Sequence, residues 1–129
     1  MATFEGLRDF LADTYDVHHL DHHSVTVHLP AGEARTQLVT VRHFRFDTGA
    51  EWIQIESAIG PIDAVNLDEV VRLTDDTICG GLGFKDGYVT FRHAAPLEDL
   101  SFEEFMEPLL WVTSTADRLE QGQLGSDRY

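Results

Sequence analysis

Asp86-Gly87 sits between two runs of alternating residues, ICGGLGF before it and YVTFRH after it, and constrains the fold more than any other dipeptide in the chain. A two-residue hairpin turn needs positive φ at both central positions, which Asp-Gly tolerates and most pairs do not. The segment from Ile78 to His93 is therefore an antiparallel hairpin. Ile78, Leu82 and Phe84 share one parity, and so do Val89 and Phe91.

The same punctuation recurs upstream. Val25, Val27 and Leu29 alternate with polar residues and stop at the turn PAGE. RTQLVTVRHFRF is extended, but Val39 and Val41 lie on one parity while Phe44 and Phe46 lie on the other. A bulge between the pairs, or partial burial of both faces, reconciles them. After the turn DTGAE, Ile53, Ile55 and Ile59 alternate again, until Gly60-Pro61 breaks the sheet. Three strands joined by tight turns form a meander.

Three helices frame the strands. Thr3 caps the first, whose apolar positions are Phe4, Leu7, Leu11 and Tyr15. Asn66 and Glu69 start the second, with Leu67, Val70, Val71 and Thr74 on one side. Ser101 and Glu104 form a capping box for the last, whose stripe runs from Phe102 through Phe105, Met106, Leu109, Val112 and Ala116 to Leu119. Pro108 predicts a kink near Glu104–Pro108, and Gly122 a stop. The predicted order is α-β-β-β-α-β-β-α: one α+β domain over residues 1–122, a five-stranded antiparallel sheet covered by helices, and a flexible tail at 123–129.

The 129 residues carry 23 acidic and nine basic side chains, a formal charge of −14, and Lys85 is the only lysine. Such a surface repels phosphate backbones, so no nucleic-acid partner is expected. It fits equally an adaptor for basic or sticky segments, salt adaptation, or drift. One cysteine, Cys79, permits no internal disulfide. MATFEGLRDF has no secretory pattern, and no apolar run is long enough to span a membrane, so the expected location is cytoplasmic.

GLGFKDGYVTFRH, the connector AAPLEDLSFEEF and the helix EEFMEPLLWVTSTADRLE, in this order of elements, resemble the YbjN family. That family shares its architecture with the class I type III secretion chaperones. The resemblance implies a homodimer without enzymatic residues. The secretion-chaperone relatives are small acidic dimers that bind an extended client on exposed apolar patches of their sheet.

Five of the seven histidines fall within VHHLDHHSVTVHLP, which belongs to no pattern of that family. His18 and His22 are four residues apart, as are His19 and His23, and Asp21 adds an oxygen. A metal-binding or metal-sensing site of His18, Asp21, His22 and His23 is thus the alternative function. Against it stand the absence of HExxH, of paired cysteines and of a distant ligand at recognisable spacing. A solvated helix-to-strand joint is the preferred reading. Protonation of every histidine would move the formal charge from −14 to −7.

No catalytic constellation and no cofactor motif emerge. GGLGFKDG spaces its glycines as GxGxxxG from Gly81, one residue too long for a dinucleotide fingerprint, and lacks the Lys-Ser or Lys-Thr of a P-loop. Cys79 has no base nearby in sequence, and the acids Glu98, Asp99, Glu103, Glu104 and Glu107 complement a helix dipole. What remains is aromatic. Trp52 lies opposite Ile53 and Ile55 in parity, Tyr88 opposite Val89 and Phe91, and Trp111 off the helical stripe. Trp52, Tyr88 and Trp111 are either covered by a helix as part of a two-sided core or, the reading adopted here, the expected protein-binding residues, for a dimer contact or a client.

Overall fold

In a computed structural model that describes residues 3–32, 35–75 and 77–126, each predicted cap is made. The Thr3 hydroxyl accepts from Gly6 N at 3.0 Å and opens α1, Phe4–Thr14. Asn66 Oδ1 accepts from Glu69 N at 3.1 Å and opens the helix Leu67–Leu73. Ser101 and Glu104 exchange hydrogen bonds of 3.0 Å in both directions ahead of the helix Phe102–Ser126. Each bond satisfies a backbone donor that the first helical turn leaves open.

The strands are β1 (Asp16–Leu20), β2 (Ser24–Pro30), β3 (Thr36–Arg45), β4 (Glu51–Pro61), β5 (Gly81–Lys85) and β6 (Tyr88–Pro96), with α2 at Leu67–Leu73 and α3 at Phe102–Ser126. They form one antiparallel sheet in the order β1-β2-β3-β4-β6-β5. The sheet has six strands where the sequence predicts five. The added strand is the histidine-rich joint, which pairs with β2, Asp16 opposite His28 and Leu20 opposite Val25. All five of its residues are exposed, so no apolar alternation announces it. Backbone pairing and its turn define it instead: the Asp21 carboxylate accepts from His23 N at 2.8 Å and Ser24 N at 2.7 Å.

Three local readings change with the structure. β3 keeps an unbroken register against both neighbours, with no bulge, so Val39 and Val41 face the core and Phe44 faces away. β4 runs through Gly60 to Pro61, accommodating the pair by a bulge between Ala58 and Gly60. The Asp86-Gly87 hairpin forms with φ of 52° and 87°, but its first strand begins at Gly81 and leaves Ile78 in an exposed loop. Gly80, at φ 90°, makes that break: a Cβ there would lie 2.6 Å from the Phe91 ring.

α1 and α3 cover one face of the sheet. Val25, Val27, Val39, Val41, Ile53, Ile55 and Phe91 pack there with Leu7 and Leu11 of α1 and with Phe105, Leu109, Val112 and Leu119 of α3. α3 runs unbroken through Pro108 and past the stop predicted at Gly122. Gln123 is buried, and its Oε1 accepts from Asn66 N at 2.7 Å, fastening the helix to the start of α2. Of the tail expected to be flexible, residues 127–129 lie outside the described residues, as do Glu33 of the PAGE turn and Ala34.

Candidate functional site: the uncovered face of the sheet

Strand alternation sends every second side chain to the face that the helices leave open. Residues directly opposite in the register share that face. They include Thr26 and His28 of β2, Leu38, Thr40, Arg42 and Phe44 of β3, Trp52, Gln54 and Glu56 of β4, and Thr90, Arg92, Ala94 and Pro96 of β6. The Thr26 and Thr40 hydroxyls meet at 2.8 Å.

Glu56 lies at the centre of this face. It is only 4% exposed although none of the described helices covers it. The side chains of Arg42 and Arg92 roof it: Arg42 Nη1 donates to Oε1, and Arg92 Nη2 donates to Oε2. The Thr90 hydroxyl donates to Oε2 at 2.8 Å. Burial pushes the Glu56 carboxyl up, but these hydrogen bonds and the two guanidinium charges outweigh it and hold the group below its ordinary value. A carboxyl depressed in the folded state contributes stability above its unfolded value, and that contribution fades as the pH falls through the folded one. Denaturant titrations below the reference value of 4.5 should therefore show stability falling with pH in the native protein, and a shallower fall in Glu56→Gln.

Arg92 owes its position to a glycine. A Cβ at Gly83 would overlap the Arg92 guanidinium, which lies flat across the β5 backbone and donates to Phe84 O at 3.2 Å. Its Nε is buried without a hydrogen-bond partner. An unsatisfied buried donor costs about 1–3 kcal/mol, so packing alone gives no reason to keep it.

Aromatic and apolar side chains flank the ionic centre. Phe44 stands opposite Trp52, which in turn faces Pro96 and contacts Phe46 at 5.9 Å between ring centroids. Tyr88 lies on the same face at the other end of β6, eight residues and roughly 26 Å from Pro96 at the usual strand rise. Trp111 belongs to the helix layer. It packs against the core, donates from Nε1 to Cys79 O at 3.0 Å, and lines a groove with Ala31 and Leu110. The structure thus brings Trp52 and Tyr88 to one face and holds Trp111 apart. Sequence reading missed Arg42, Glu56 and Arg92. Their signal was parity, since each neighbours a core residue (Val41, Ile55 and Phe91), but only the register brings them together.

A second apolar surface surrounds α2 and the edge strand β5, where Leu67, Val71, Ile78 and Phe84 are exposed. Ile78 is 89% exposed, the most of any large apolar side chain among the described residues.

The histidines take other roles. His18 stacks edge-on against His28 at 5.8 Å. Asp21 is occupied by His19 Nε2 at 2.9 Å, by the backbone of His23 and Ser24, and by the Ser24 hydroxyl. These bonds, with His19 first, hold its carboxyl far below the ordinary range. His22 and His23 instead line a cleft of about 660 Å³ at the start of α1, with Arg8, His43, Arg45 and Glu51. There Glu51 accepts from His43 at 2.8 Å and Arg45 at 3.3 Å, and its pKa is lowered by both. Among the described residues, no three His, Cys, Asp or Glu side chains group as ligands for an ion. No described helix is long and apolar enough to cross a membrane.

The sequence matches no protein-family model and no curated protein. The structure matches a chain in the crystal structure of the ExsC–ExsE complex with a TM-score of 0.60 at 18% identity, over 96% of each chain. The fold is type III secretion chaperone-like. At this identity the likeness concerns the fold and does not single out the YbjN family.

Proposed function

We propose that this chain is a non-enzymatic, chaperone-like module that acts as a homodimer and holds an extended segment of a client polypeptide on the uncovered face of its sheet. The carrying observation is that face. It spans β2, β3, β4 and β6, bears Phe44, Trp52, Pro96 and Tyr88 at its ends, and none of the described helices lies above it. Exposed apolar groups gathered on one surface mark an interaction site more often than scattered ones do. A module that pairs with itself and also holds a third polypeptide needs two such surfaces, and α2 with β5 supplies the other. A protein of similar fold forms the ExsC–ExsE complex, which supports a protein partner here. A single cysteine and an acid-rich composition suit a cytoplasmic location, and the C-terminal hairpin and helix suit a YbjN-like relationship within the fold.

The test is photocrosslinking in the cell of origin. A photoreactive phenylalanine analogue replacing Phe44 should capture a partner chain, whereas the same analogue replacing Phe102, exposed on the helix side, should not. Capture from Phe102 alone, or from neither position, rejects the proposal. Sedimentation at micromolar concentration should give twice the 14.5 kDa chain mass; a monomer contradicts the dimer.

A further inference from the structure

We infer that Arg42 and Arg92 form a carboxylate-binding site, and that the segment taken by this face carries an acidic side chain between apolar ones. The inference rests on the client-face reading above and specifies the partner's chemistry. Of the readings open to a chain of charge −14, the one that involves a partner makes that partner basic or sticky. The uncovered face runs against that expectation. By register it holds Arg42, Lys85 and Arg92, three of the chain's nine basic residues, and Asp16 and Glu56, two of its 23 acidic ones. Lys85 is paired with Asp86 at 4.0 Å, so the positive excess on this strongly negative protein lies at the centre, where two guanidinium groups meet one carboxylate.

The geometry of the centre agrees. Glu56 cannot receive a client's lysine, because it is buried and both its oxygens already accept hydrogen bonds. The guanidinium groups lie between it and solvent, with side chains 21% and 31% exposed. Each guanidinium carries five N–H donors. Arg42 spends only Nη1 on Glu56, and Arg92 only Nη2 on Glu56 and Phe84 O. Apart from the buried Arg92 Nε, the remaining donors of these partly exposed groups suit a planar carboxylate, which arginine binds through charge-assisted hydrogen bonds. Gly83 keeps one guanidinium flat and preorganised, which gives a role to the glycines that first resembled a phosphate loop. Phe44 and Trp52 beside this centre, and Leu38 beyond it, provide apolar contacts for the residues flanking the acid.

Three dye-labelled peptides with blocked ends, alternating valine and serine around a central Glu, Gln or Lys, provide the test by fluorescence anisotropy. The Glu peptide should bind about tenfold more tightly than the Gln peptide, the gain of a charge-assisted contact, and the Lys peptide most weakly. The preference should shrink in high salt. The triple variant Arg42→Gln/Glu56→Gln/Arg92→Gln, which leaves only neutral hydrogen-bonding groups at the centre, should bind the Glu and Gln peptides alike. Equal binding of all three peptides by the native protein, or a preference for Lys, overturns the acidic specificity and leaves the client face standing. Binding of none overturns both.

Discussion

Trp52→Asp should abolish partner capture while leaving the folded domain within about 1 kcal/mol of the native stability. Trp52 is half-buried on the open face, its ring against Phe46 and its strand neighbours Phe44 and Pro96. It takes no part in the core that β4 builds through Ile53, Ile55 and Ile59. A large aromatic at an interface commonly carries 2 kcal/mol or more of binding free energy. Aspartate removes that area and places a negative charge beside Phe44. A weakening of roughly thirtyfold or more follows. Crosslinking from position 44 and thermal melting, measured on the same variant, separate the outcomes. Unfolding would make Trp52 a structural residue and withdraw it from the client surface.

Glu56→Ala should cost about 3 kcal/mol, a loss otherwise expected of deep core substitutions. The carboxylate is the common acceptor for Arg42, Arg92 and Thr90. Without it, two guanidinium groups in the middle strands of the sheet have no counter-ion, and Thr90, 4% exposed, loses its acceptor. Partial exposure lets the arginines rehydrate, which keeps the loss at the lower end of the range for a broken buried pair. Urea denaturation should show a lower midpoint with an unchanged slope. A midpoint equal to that of the native protein would mean that the network contributes nothing to the sheet. Glu56→Gln, which preserves shape and one acceptor, should lose less than Glu56→Ala.

The parts of this fold legible in the sequence are those fixed by bonds between near neighbours. Thr3, Asn66, Ser101 with Glu104, and Asp86-Gly87 announce themselves because a cap or a two-residue turn closes within four residues. β1 was hidden because an exposed edge strand needs no apolar alternation; its pairing depends on β2 and on the Asp21 turn. Phe44 and Phe46 looked like core because they are large and apolar. Only the unbroken register of β3 puts Phe44 on the open side, and Phe46, just past the end of the strand, meets the Trp52 ring there. The ionic centre was the least legible. Arg42 and Arg92 lie 14 and 36 residues from Glu56 in sequence, and charge totals say nothing about which face each residue occupies. The −14 of the whole chain in fact points away from the sign of this surface.

The two tryptophans provide the most direct test of the client face, because one lies on it and the other lies in the helix layer. Indole N–H signals of Trp52 and Trp111 can be followed by NMR while the Glu-centred peptide is added. Occupation of the open face should move the Trp52 signal progressively and leave Trp111, bonded to Cys79 O, in place. Movement of Trp111 with Trp52 unchanged would contradict the account and put the binding site among the helices.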